Sequence, residues 1–208
     1  GGPLSEDADM ARRVQGTFTV PCYMTDPDGA GPKVPCDPGS TLNLNPDGVP
    51  EQNGTWTANF NCMIPYAALS SPARPSIYGH GLLGSANEGT SSPQKTLGNT
   101  HGIMDCATDE IGMSNGDVAN TIGILQNMSK FPQLADRLQQ GMLNGLYLGR
   151  LLLSPDGFIS DPAFRVDDTG PVDGSNPPVI DTANLYYNGN SQGAIFGGAL
   201  TAVAPDFT

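Results

Sequence analysis

The chain has 208 residues, enough for one domain with a sizeable core. Apolar residues at 38% and charged residues at 14% exclude a disordered chain, although 27 Gly and 19 Pro make it rich in turns. Nine Lys and Arg against 21 Asp and Glu give a net charge of -12, which leaves no basic footprint for nucleic acid or an anionic membrane surface.

The sequence opens "GGPLSEDADM", without an initiator Met, a basic n-region or an apolar signal segment, and this predicts that an upstream piece is removed from a precursor. Residues 1–70 read as extended. Thr17–Met24 and Thr55–Pro65 alternate β-branched and aromatic residues and predict two strands, separated by a stretch whose Pro, Gly and Asp clusters favour turns. Asp26, Asp28, Asp37, Asn45 and Asp47 in this stretch lack the alternating ligands and distal Glu of an EF-hand loop and are read as turn residues, so no metal is expected.

Four cysteines, Cys22, Cys36, Cys62 and Cys106, form an even set without the close pairs of a zinc site. Two disulfides in an oxidising compartment are expected, with Cys22–Cys36 as the local pair and Cys62–Cys106 as the long one; four buried thiols are the alternative. The compartment is then extracellular or periplasmic. The longest apolar-rich run, 142–153, contains Asn144 and Arg150 and is too short to span a bilayer.

From Ser76 the pattern becomes strand, loop and helix in alternation, which predicts a mostly parallel sheet flanked by helices. "SIYGHGLLGS", "GIMDCATD" and "NLYYN" read as strands. A helix is predicted over Pro132–Leu153, with Leu134, Leu138, Met142 and Leu146 as its apolar stripe. Gly141, Gly145 and Gly149 share that spacing, which points to a close approach of the helix to the sheet. Residues 154–183 carry Pro, Gly, Asp and Ser with little periodicity, and a lid over the site is expected there. No linker divides residues 71–208 from 1–70, so 1–208 is read as one domain.

The chemistry is concentrated in "LYYNGNSQGAIFGG". A nucleophilic serine must stand clear of its sheet on a sharp turn between strand and helix, and small residues at Gly189, Gly193 and Ala194 make room for it. Ser191 is the expected nucleophile, at the N-terminus of a helix whose amides and dipole suit an oxyanion. A second glycine-rich turn, "YGHGLLGS", follows a predicted strand about 110 residues earlier.

With both motifs the chain resembles the α/β-hydrolase superfamily, in particular the secreted bacterial lipases and esterases with an HGxxG oxyanion loop. The resemblance implies an oxyanion hole formed by the backbone N–H groups of Leu82 and Gln192. It also implies that His80, Gly81 and Gly84 shape the loop rather than transfer protons. In that family the acid and the histidine follow the nucleophile. Only 17 residues follow Ser191 here, with no histidine and one acid, Asp206.

The expectation is therefore the N-terminal and central part of an α/β-hydrolase fold. A C-terminal segment of the same precursor, present as a second chain, would complete it and supply the Asp or Glu and the His. His101 is read as ending a helix or entering a strand. The expected activity is cleavage of carboxylic esters through an acyl-enzyme on Ser191, without metal or organic cofactor. Leu82, Leu83, Ile195 and Phe196 would favour an acyl group over a charged one. Amide cleavage and acyl transfer use the same parts, and a non-catalytic binding or structural module is the alternative from another class.

Overall fold

The computed structural model describes residues 9–25 and 36–208. In chain order the elements are β1 (Arg12–Pro21), β2 (Thr55–Ile64), β3 (Arg74–Gly79), α1 (Ser92–His101), β4 (Ile103–Ala107), α2 (Val118–Gln126), α3 (Pro132–Leu153), β5 (Tyr186–Gly189) and α4 (Gln192–Val203). The first strand begins five residues before the predicted Thr17, because Arg12 to Gly16 pair with the end of β2. Asp26 and Asp28 lie outside the described residues. Asn45 holds a turn, accepting from the amides of Asp47 and Val49.

The five strands lie in one sheet in the order β1-β2-β4-β3-β5. β1 and β2 pair antiparallel along their ten-residue lengths, and β2 pairs antiparallel with β4 through Asn61 and Cys62. Only the β4, β3 and β5 side is parallel. The mostly parallel sheet expected from the motifs, and the α/β-hydrolase fold inferred with it, is therefore corrected to a mixed sheet with more antiparallel than parallel ladder. The physical reason lies between β1 and β2. The described residues of their turn-rich connection carry no crossover helix, and without a crossover two neighbouring strands run antiparallel.

β3 and β4 are central and buried on both faces. On one face Ile77, Cys62, Met104 and Cys106 pack with Leu148 and Leu152 of α3. On the other, Tyr78 and Ala107 meet Ala86, and Gly98 of α1 lies against Met63. Both expected disulfides are present: Cys22–Cys36 closes the N-terminal loop, and Cys62–Cys106 joins β2 to β4. No helix among the described residues is long and apolar enough to cross a membrane.

α3 spans the predicted range, but of its predicted stripe only Leu134 belongs to the buried face. Leu138, Met142 and Leu146 are half-buried, whereas Gly141, Gly145 and Gly149 are buried with Leu134, Leu148 and Leu152. A Cβ at Gly149 would lie 2.7 Å from Leu185 Cδ2, and one at Gly141 would lie 2.9 Å from Ile111 O. Close approach turns the glycine face inward. Arg137, on the same face, forms a buried ion pair with Asp117 at 2.8 Å and donates to the Cys36 carbonyl.

The stretch 154–183 is also corrected: it is no lid. Phe158, Phe164, Val179 and Ile180 belong to the main core, with the Phe158 and Phe164 rings stacked 4.5 Å apart. Ala73, just before β3, exchanges backbone hydrogen bonds with Val179 and Asp181. The segment therefore covers the N-terminal end of the parallel strands. Ser191 lies at the opposite end.

Candidate active site

β5 ends at Gly189 and α4 starts at Gln192, so two residues turn the chain from strand to helix. The turn places Ser191 at φ 52° and ψ -116°, on the positive side that L-residues avoid, at a cost of about 1–3 kcal/mol. Ser191 is exposed. The two flanking glycines are required by close approach. A Cβ at Gly189 would lie 2.7 Å from Gly193 C, and one at Gly193 would overlap the backbone carbonyl of Gly79. The elbow thus seats directly on the end of β3, and Asn190 N donates to Gly79 O at 3.1 Å.

The chain leaving β3 forms the second turn. Gly81 N donates to Glu88 Oε2 at 2.9 Å, Gly84 N to Gly81 O at 2.9 Å, and Leu83, at φ 55°, donates from its amide to Met113 O. Gly81 also faces the elbow, since a Cβ there would lie 3.7 Å from Asn190 Nδ2. Between these anchored groups, the Leu82 N–H donates to no acceptor among the described residues. The same is true of the Gln192 N–H, at the first turn of α4. Of the apolar residues expected at the site, Leu82 and Ile195 are exposed, at 61% and 81%. Phe196 is core, only 7% exposed.

His80 is fully buried. Its Nε2 accepts from Glu110 N at 2.9 Å, so its Nδ1 carries the proton donated to Gly81 O at 2.8 Å. Both ring nitrogens are engaged with backbone, one in the turn after β3 and one in the loop after β4. His101 ends α1, and its carbonyl accepts from Arg74 at the start of β3. It stands at the far end of the sheet from the elbow. Asp206 is held by the Arg150 guanidinium.

Beneath the two turns lies a set of buried acids. Glu110 is 4% exposed, and burial, reinforced by the nearby Glu88 carboxylate and opposed by Tyr187, pushes its carboxyl up to about 8. Asp105, in the middle of β4, is pushed up to about 7 by burial. Ser76 and Asn188 face it and offset part of that shift, but neither reaches hydrogen-bonding geometry with its oxygens. Tyr187 Oη lies 2.7 Å from Gly193 O and 3.1 Å from Glu110 Oε1. Burial, followed by the charge of Glu110, raises the Tyr187 phenol far above the ordinary range. Asp105 and Glu110 lie outside both glycine-rich motifs. The signal was a charged residue inside a short apolar strand, "GIMDCATDE", where a carboxylate has no water. No family model matches the chain, and no curated protein matches it.

Proposed function

We propose that the chain is the nucleophile-bearing part of a secreted serine hydrolase that cleaves carboxylic esters. The observation that carries this reading is the elbow: an exposed serine in a strained backbone conformation, seated on the end of β3, while the Leu82 and Gln192 amides donate to no acceptor among the described residues. Strain at a polar, exposed residue is a mark of function, because folding alone would favour glycine there.

Ser191 Oγ adds to the ester carbonyl carbon, and its proton passes to a neutral imidazole. The carbonyl oxygen becomes an oxyanion stabilised by the Leu82 and Gln192 N–H groups. Collapse breaks the ester C–O bond, and the leaving alkoxide takes the proton from the imidazolium. Water then attacks the acyl-enzyme by the same route, regenerating Ser191 and releasing the acid. The cycle needs no metal or organic cofactor.

In this reading the imidazole comes from outside these 208 residues, because both ring nitrogens of His80 are engaged with backbone and His101 ends α1 beside the start of β3, away from the elbow. A C-terminal segment of the same precursor, held as a second chain, is the proposed source of the His and of its acidic partner. The same fact favours a second reading, a non-catalytic binding module, wherever the 208-residue chain acts alone. Labelling with a fluorophosphonate probe separates the two. In the natural assembly the probe modifies Ser191 and spares Ser191→Ala. The isolated chain labels about 10²–10⁴-fold more slowly, the usual contribution of a general base. An assembly that does not label at neutral pH would overturn the hydrolase reading.

A further inference from the structure

The Tyr187 hydroxyl has one proton and two close neighbours. Gly193 O, at 2.7 Å, is a carbonyl and can only accept. With a carboxylate at Glu110 the phenol could donate to either oxygen; the shorter contact is to Gly193 O, and with the proton there a phenol lone pair faces Glu110 Oε1 at 3.1 Å. Two oxygens facing each other at that distance attract only if one carries a proton, which in that arrangement is the carboxyl's.

The surroundings agree. Glu110 is closed in by Gly79 of β3, where a Cβ would lie 2.6 Å from Glu110 Oε1, and by Gly141 of α3, where one would lie 3.5 Å from the Glu110 carbonyl carbon. The titratable groups facing it are Tyr187 from β5, Tyr78 and His80 from β3 and its end, and Glu88 from the turn at 86–90. The Gly141 and Gly193 contacts from α3 and α4 bring no charge, and no cation among the described residues pairs with Glu110. The backbone of the same residue donates to His80 Nε2, and His80 in turn holds Gly81 O.

We propose that Glu110 is a positioning residue for Ser191: as a neutral acid it donates to Tyr187, which donates to the Gly193 carbonyl, so that one residue locks the elbow and the Gly81 turn together. Loss of its proton reverses the arrangement. The carboxylate claims the Tyr187 proton, and the Gly193 carbonyl is left without its side-chain donor. The lock stands on geometry, and its effect on reactivity rests on the serine-hydrolase reading.

The test uses Glu110→Gln, which keeps a donor and cannot ionise, and Glu110→Ala, which removes the link. The rate of fluorophosphonate labelling of Ser191 in the natural assembly is measured from pH 6 to 10, alongside thermal midpoints. For the unaltered protein the rate falls above about pH 8, approaching tenfold per pH unit for loss of one proton. Glu110→Gln keeps a flat alkaline limb and recovers at pH 7 what Glu110→Ala loses, expected to be tenfold or more. Identical alkaline limbs in the unaltered protein and Glu110→Gln would overturn the proposal, as would Glu110→Ala labelling at full rate. If Ser191 labels at no pH, the hydrolase reading fails and the midpoints judge the lock alone. The gap between Glu110→Gln and the unaltered protein must then widen as pH rises from 6 to 9, and a constant gap refutes it.

Discussion

Ser191 is the residue at which local backbone preference and the rest of the molecule disagree. Its φ of 52° would suit glycine, and glycines already occupy Gly189 and Gly193 on either side because no Cβ fits there. Replacing Ser191 by Gly relieves about 1 kcal/mol of strain, which should raise the thermal midpoint by about 2–4 °C while abolishing labelling. Calorimetry on the purified variant checks this, and a lowered midpoint would mean that the serine side chain stabilises the turn. The need for small residues around a protruding serine was legible in the sequence, because it is a steric demand confined to five consecutive residues. The tautomer of His80 and the proton shared by Glu110 and Tyr187 were not, because their partners lie 30 and 77 positions away.

At the scale of elements, α3 shows how periodicity can place a helix and still misjudge its buried side. Leu138, Met142 and Leu146 have the right spacing, yet the glycine face is the one turned inward, and with it come Arg137, Gln140 and Asn144. Arg137 carries the consequence. Asp117 accepts from Gly112 N, Ser114 N and Ser114 Oγ as well as from Arg137, so the pair ties the loop after β4 to α3 and to the Cys36 carbonyl. Arg137→Ala leaves a buried carboxylate without its cation and should cost about 3–5 kcal/mol in urea unfolding. A loss below 1 kcal/mol would show that water reaches Asp117. The segment 154–183 teaches the converse. Few apolar residues in a Pro- and Gly-rich stretch suggested a lid, but Phe158, Phe164, Val179 and Ile180 suffice to draw it into the core.

For the whole molecule, burial of two unpaired carboxyls makes stability depend on pH. Asp105 and Glu110 both titrate higher in the folded state, about 7 and about 8, than in the unfolded chain, where they approach 3.8 and 4.5. Between those limits the folded state binds more protons than the unfolded state. The stabilisation is complete below the unfolded values and is lost as pH rises through 7 to 8. The protein should therefore be more stable at pH 5 than at pH 8.5. Asp105→Asn should recover on the order of 2–4 kcal/mol at the higher pH. Chemical denaturation at the two pH values checks both, and a variant that gains nothing would show that Asp105 is solvated.

Sequence by itself determined the features that depend on neighbours along the chain: the sharp turn at Ser191, the glycine-rich turn after β3, the span of α3, and the local disulfide Cys22–Cys36. Each follows from steric or periodic constraints acting over a few residues. Tertiary structure alone decided the mixed direction of the sheet, the inward glycine face of α3, the place of residues 154–183 and the buried acids under the elbow. Strand pairing and the extent to which a carboxyl is desolvated depend on which distant segments arrive beside it; the apolar strand around Asp105 hints at burial, but not at its partners.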